Sequence, residues 1–112
     1  MWQMANYSHI ELFAGCGGMS LGLGATGFDL VMANEVSPMA GETFAFNLLG
    51  EDLQRIGLNG SHSEKVLWLK SQYARHQVTK RLRENPFQPT DKSHSDISSL
   101  TQLPGKLVIG EI

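Results

Sequence analysis

The chain has 112 residues, of which 41% are hydrophobic and 18% are charged, and its formal net charge is −2. This length accommodates one small domain, and the net charge alone does not indicate a nucleic-acid-binding protein. No apolar run approaches the roughly 18 residues of a membrane span, and the N-terminus lacks the pattern of a secretory signal. The single cysteine, Cys16, excludes an internal disulfide and a cysteine metal cluster, and the four histidines lack metal-ligand spacing. We therefore expect a cytoplasmic protein with no membrane or metal partner.

The first half of the chain alternates between strand and helix patterns. Its four predicted elements are a strand at 10–13, a helix at 19–26, a strand at 28–34 and a helix at 38–49. Gly27 follows the first helix, where a left-handed conformation favours glycine. Ser37 and Pro38 have the residue types of an N-cap and a first helical position. This alternation is typical of a parallel α/β sheet.

The second half of the chain is less regular. Residues 50–60 lack periodicity and are predicted to form a loop. The stretch "SHSE" at 61–64 has capping-box spacing, and it begins a helix predicted to continue to about Glu84. A loop rich in Pro, Ser and Asp follows that helix. Asp96 and Ile97 are predicted to end a short third strand, and "KLVIGEI" is predicted to begin a fourth.

Two glycine clusters flank the first predicted helix. "GLGATG" matches the dinucleotide pattern G-x-G-x-x-G, but it lies at the end of the helix, whereas a phosphate-binding loop must open one. A nicotinamide-dependent oxidoreductase is therefore disfavoured. "FAGCGG" follows the first strand and opens the helix, which is the position of a ligand loop. The alternative is a tight turn between strand and helix that binds no ligand.

An acidic residue distinguishes these two interpretations. Glu35 lies 20 residues after Gly15, at the end of the second predicted strand. Because the carboxyl ends of parallel strands meet at one edge of the sheet, Glu35 is expected beside the first loop. A carboxylate there can accept two hydrogen bonds from ribose hydroxyls, although surface glutamates are also common at strand ends. The loop and the acid together indicate a nucleoside-containing cofactor.

Three stretches resemble the first motifs of the DNA (cytosine-5) methyltransferases: "IELFAGCGGMSLGL", "ANEVSPMAGETFAFN" and "SDISSL". The resemblance implies part of a Rossmann-like, S-adenosylmethionine-dependent methyltransferase sheet, with three or four parallel strands and flanking helices. It implies a single partial domain in the cytosol of a prokaryote. Its expected parts are a cofactor-binding half at 8–49, an inserted basic helical segment at 50–93, and a third-motif loop with the start of a fourth strand at 94–112.

The resemblance also implies roles for individual residues. The loop residues around the methionine part of S-adenosylmethionine are Phe13, Ala14, Gly15, Cys16, Gly17 and Gly18. Glu35 would hold the ribose hydroxyls, and Val36 would pack against adenine, where the family often has a larger side chain. Asp96 would accept from the adenine amino group, and Ile97 would cover the ring. An ordinary loop aspartate and a core isoleucine are the alternatives for the last two. Cys16 is expected to be non-catalytic.

The family's catalytic Pro-Cys motif, its assisting glutamate motif and its target-recognition domain are not found in the 112 residues. The complete reaction methylates a cytosine flipped out of duplex DNA. We therefore expect a truncated frame, one subunit of a split enzyme whose second polypeptide carries the chemistry, or a degenerate remnant. A non-catalytic interaction module that keeps the glycine loop as structure is the rival function. The isolated chain is expected to transfer no methyl group.

A basic stretch lies between Lys65 and Arg83, with no acidic residue among six cations. A solvated helix face is the ordinary explanation of such a stretch. The functional alternative is contact with DNA phosphates through Lys80, Arg81 and Arg83, which would be salt-sensitive and independent of sequence. This stretch lies outside the family resemblance, so no role can be transferred to it.

Overall fold

The computed structural model describes residues 7–59, 63–88, 93–96 and 106–111. The strands are β1 (Tyr7–Leu12), β2 (Phe28–Glu35), β3 (Val66–Trp68) and β4 (Leu107–Ile109). The helices are α1 (Gly18–Ala25), α2 (Pro38–Phe44), α3 (Leu53–Leu58) and α4 (Val78–Leu82). A π-helical turn, Ala45–Leu49, extends α2.

The four strands form one parallel sheet in the order β1-β2-β4-β3. Leu12 is paired with Asn34, and Ile109 is paired with both Glu35 and Trp68. The carboxyl ends of all four strands therefore meet at the same edge. The predicted class, a parallel α/β sheet with flanking helices, is confirmed.

The turns of the first half form as their sequences predict. Gly27 follows α1 with a φ of 94°, and the Thr26 hydroxyl donates to the Leu23 carbonyl 2.9 Å away. "GLGATG" is thus the end of a helix, as expected from its position. Ser37 is the N-cap of α2, its hydroxyl accepting from the Ala40 amide, and Pro38 is the first helical residue.

One part of the core lies between the sheet and the α2 helix, and another includes Leu53 of α3 and Val78 and Leu82 of α4. Phe44 and Ala45 are fully buried in the first part, together with Leu107 and Ile109 of β4. Gly41 permits the close approach, since a Cβ at this position would lie 2.8 Å from the Ile109 Cδ1 atom. Every residue of β3 and β4 is buried, which is typical of parallel strands covered on both faces.

Two predictions for the second half are wrong. The segment predicted as one helix from 61 to 84 contains β3 and the short helix α4, because the apolar residues Val66–Trp68 pair with the buried strand β4. A short apolar run does not distinguish a strand from a helix until its tertiary partner is known. The predicted loop at 50–60 contains α3, whose N-cap Asp52 accepts from the Arg55 amide at 3.1 Å.

The predicted third strand is also misplaced. Asp96 is not part of a strand; its amide donates to the Trp68 carbonyl at the end of β3, 2.8 Å away. Two residues earlier, His94 forms an isolated antiparallel bridge with Ser71. Ile97 lies outside the described residues. The segment 93–96 therefore lies along the carboxyl end of β3, the true third strand.

Candidate cofactor site

The loop between β1 and α1 has an unusual backbone. Gly15 and Gly17 have φ angles of 58° and 98°. Phe13, at 56°, is the one residue other than glycine with a positive φ in the described part of the chain. The Ala14 amide donates to the Asn34 carbonyl at 2.9 Å, which fixes the loop to the end of β2. The loop backbone thus has φ angles that residues other than glycine rarely adopt.

The glycines of this loop have different surroundings. A Cβ on Gly17 would overlap the Cδ1 atom of Leu48, so this position packs tightly against the π-helical turn. A Cβ on Gly15 or Gly18 would meet no atom within 4 Å. The loop therefore rests on Leu48 at one glycine and has open space beside the other two, where a ligand could approach the backbone.

Glu35 joins the loop to the end of β2. Its Oε1 atom accepts from the Gly15 amide at 2.9 Å, and its Oε2 atom accepts from the Ser37 amide at 2.7 Å. Each carboxylate oxygen has two lone pairs, so each keeps one position for a further donor. The structure therefore brings together the loop and the acid that the sequence analysis placed side by side.

A cavity of about 550 Å³ opens beside Glu35. Its lining includes Leu12 and Phe13 from the end of β1, Asn34 to Ser37 from the end of β2, and Pro86, Phe87 and Glu111. The volume is within the usual range for small-molecule sites, roughly 300–1,000 Å³. The charged residues of the lining are the two glutamates, which favour a ligand carrying positive charge.

Six of the nine lining residues were not predicted to contact the cofactor: Leu12, Asn34, Ser37, Pro86, Phe87 and Glu111. The stretch "NPF" gave a turn signal, but no pattern in the sequence related that turn to the glycine loop. Val36, predicted to pack against adenine, does line the cavity.

The structure does not bring Asp96 to this cavity. Its carboxylate accepts from Arg81 Nη1 at 3.1 Å and from Arg75 Nε at 3.3 Å. The Asp96 carboxylate lies beside Trp68, and β4 separates that strand end from Glu35. The expectation that Asp96 accepts from the same nucleoside as Glu35 therefore does not fit this arrangement.

The three cations predicted to contact DNA differ in exposure. Arg81 is only 2% exposed, pairs with Asp96 and lies over the Trp68 ring, 4.6 Å from its centroid. Burial lowers the pKa of the Arg81 guanidinium, and the Asp96 carboxylate opposes that effect. Arg81 is thus unavailable as a phosphate contact. Lys80 and Arg83 are exposed.

Other site types find little support. Cys16 is a free, exposed thiol on the loop. No group of three metal-binding side chains occurs among the described residues. None of the described helices is long and apolar enough to cross a membrane.

A parallel sheet with a glycine loop after its first strand and an acid at the end of the next defines a Rossmann-like α/β protein. The sequence model of one family, described as C-5 cytosine-specific DNA methylase, matches residues 7–62, half of the chain. The chain therefore belongs to the C-5 cytosine-specific DNA methylase family. Comparisons with curated proteins and with solved structures gave no match.

Proposed function

We propose that this chain forms the S-adenosylmethionine-binding portion of a DNA cytosine-5 methyltransferase. The observation that carries the proposal is the Glu35 carboxylate, bound to the Gly15 amide beside the 550 Å³ cavity that Phe13 also lines. When bound, the cofactor supplies an activated methyl group. The family match over residues 7–62 supports this chemistry over that of other nucleoside ligands.

The chain's own groups suit the parts of this cofactor. The free lone pairs of Glu35 would accept from the ribose hydroxyls, and Val36 would pack against adenine. The amides at the start of α1 have no partner within the helix, so they would donate to the carboxylate of the methionine part. The two glutamates of the cavity would attract the sulfonium and would repel the anionic pyrophosphate of NAD.

The nucleophile of the reaction would come from outside these 112 residues. The family's chemistry needs a cysteine thiolate to attack the pyrimidine, and the one cysteine here belongs to the cofactor loop. We propose that a second polypeptide or a further part of the protein supplies the catalytic and target-recognition residues. Duplex DNA is then the partner of the assembled enzyme.

Isothermal titration with S-adenosylmethionine, S-adenosylhomocysteine and NAD tests the cofactor proposal. We expect the first two to bind and NAD not to bind. Glu35→Gln removes a charge-assisted acceptor, so we expect its affinity to fall roughly 10- to 100-fold. Asp29→Asn is the matched control, because Asp29 is exposed at the opposite end of the same strand.

The outcomes of this titration separate the rival functions. Binding of NAD alone would indicate an oxidoreductase. Binding of none of the three ligands by the folded chain would favour the interaction module that keeps the loop as structure. Equal affinity in Glu35→Gln and Asp29→Asn would remove Glu35 from the site.

The exposed cations of the α4 region could contact DNA phosphates, and this is tested separately. In Lys80→Ala/Arg83→Ala we expect weaker retention of a labelled duplex and a salt slope shallower by about 1 for each cation. Arg55→Ala/Lys106→Ala removes two exposed cations outside the basic stretch and is the control. Equal retention by both double variants would favour a solvated surface.

A further inference from the structure

We infer that Phe87 binds the adenine ring of the nucleoside cofactor by stacking on it; this inference rests on the proposed function. Phe87 lies outside residues 7–62, the part of the chain that the family model matches. Phe87 is 84% exposed, yet it lines the cavity that Glu35 and Val36 also line. An exposed phenyl ring has few contacts within the protein, so its flat apolar face is available to stack on a heterocycle.

The backbone around Phe87 is held in a defined turn. The Asn85 side chain accepts from the Phe87 amide at 3.0 Å, and the Asn85 carbonyl accepts from the Gln88 amide at 3.2 Å. Asparagine at the first position and proline at the second are the residues that such a turn favours. The Phe87 backbone therefore has a defined position before any ligand arrives.

The turn is also attached to the sheet. Glu84 accepts from the Ser71 hydroxyl at 2.7 Å and from the Gln72 amide at 2.8 Å, both just after β3. These bonds link the turn to the carboxyl edge of the sheet, where the cavity lies. Phe87 lines the same cavity as Leu12 of β1 and Glu35 of β2.

The groups in and beside the cavity suit different parts of the cofactor. Glu35 is an acceptor for hydroxyls, and the loop amides are donors to a carboxylate. Val36 offers only a small apolar surface to a flat ring. The aromatic residues of the lining are Phe13 and Phe87. Phe13 belongs to the loop assigned to the methionine part, so Phe87 is the aromatic surface that remains for a planar base.

Titration of S-adenosylhomocysteine into Phe87 variants tests this inference. We expect Phe87→Ala to raise the Kd roughly 5- to 150-fold, the range for loss of one base–aromatic stack. Phe87→Tyr should keep the wild-type Kd within about 2-fold, whereas Phe87→Leu should not, since leucine keeps apolar bulk but no ring. Phe46→Ala is the control, because Phe46 is exposed beside a different cavity.

A second readout reports stacking directly. In Phe87→Trp we expect the ligand to quench more fluorescence than in the wild type. Wild-type binding with unchanged Kd in Phe87→Ala would overturn the Phe87 inference alone. A wild-type chain that is folded but does not bind S-adenosylhomocysteine would overturn the proposed function and this inference together.

Discussion

At the scale of single residues, the glycines of the loop meet different structural requirements. Gly17 avoids overlap with Leu48, whereas Gly15 and Gly18 leave open space. The positive φ of Gly17, 98°, adds a conformational requirement to the steric one. A substitution at Gly17 therefore affects stability through two mechanisms at once.

We predict that Gly17→Ala lowers the free energy of unfolding by about 2–4 kcal/mol, from overpacking and from the left-handed backbone. Urea unfolding followed by circular dichroism measures this change. The control is Gly22→Ala, an exposed position inside α1, which should raise stability by about 0.5–1 kcal/mol. Equal stability in the two variants would mean that the π-helical turn does not pack on the loop as described.

At the scale of elements, the buried ion pair between Arg81 and Asp96 connects the segment 93–96 to α4 and β3. Arg81 is almost fully buried, and its partner Asp96 also accepts from the Trp68 amide. Arg75 contacts the same carboxylate from a side chain that is 46% exposed. Loss of the buried Arg81–Asp96 pair should therefore lower the free energy of unfolding more than loss of the Arg75–Asp96 pair. An unpaired charge in the interior is costly, whereas an exposed pair contributes little.

We predict that Asp96→Asn lowers the free energy of unfolding by about 3 kcal/mol, since it removes the carboxylate paired with the buried Arg81. Arg75→Gln, which removes the more exposed of the two cations beside Asp96, should cost less than Asp96→Asn, since an exposed pair contributes roughly 0–1 kcal/mol. Thermal and urea unfolding compare the two. Because Asp96 does not line the cofactor cavity, we expect folded Asp96→Asn to retain the wild-type affinity for S-adenosylhomocysteine. Lost affinity with unchanged stability would instead support an adenine contact.

At the scale of the whole molecule, the sheet order places β1 at an edge and β4 between β2 and β3. Ile10 and Leu12 of β1 are exposed, as are Met19 and Leu21 of α1. An edge strand with exposed apolar residues tends to associate with other chains. The cofactor cavity lies at the carboxyl ends of the strands, whereas the amino end of β1 lies at the opposite end of the sheet.

We predict that residues 1–112 alone transfer no methyl group to duplex DNA, since the one cysteine belongs to the cofactor loop. A radiolabelled methyl-transfer assay measures this, with cofactor binding checked in the same preparation. Cys16→Ser should bind S-adenosylhomocysteine as the wild type does. Turnover by the wild type that disappears in Cys16→Ser would make Cys16 the nucleophile and contradict the prediction.

The sequence by itself determined the first two strands, the first helix and the glycine loop, because local rules govern them: caps, glycines at positive φ, and short apolar runs. It also placed Glu35 beside the loop, since adjacent parallel strands bring their carboxyl ends together. Only the tertiary structure decided that Val66–Trp68 is a strand, that Asp96 pairs with Arg81, and that Phe87 reaches the cavity. These features depend on contacts between residues distant in the chain, and a local sequence pattern does not identify the distant partner.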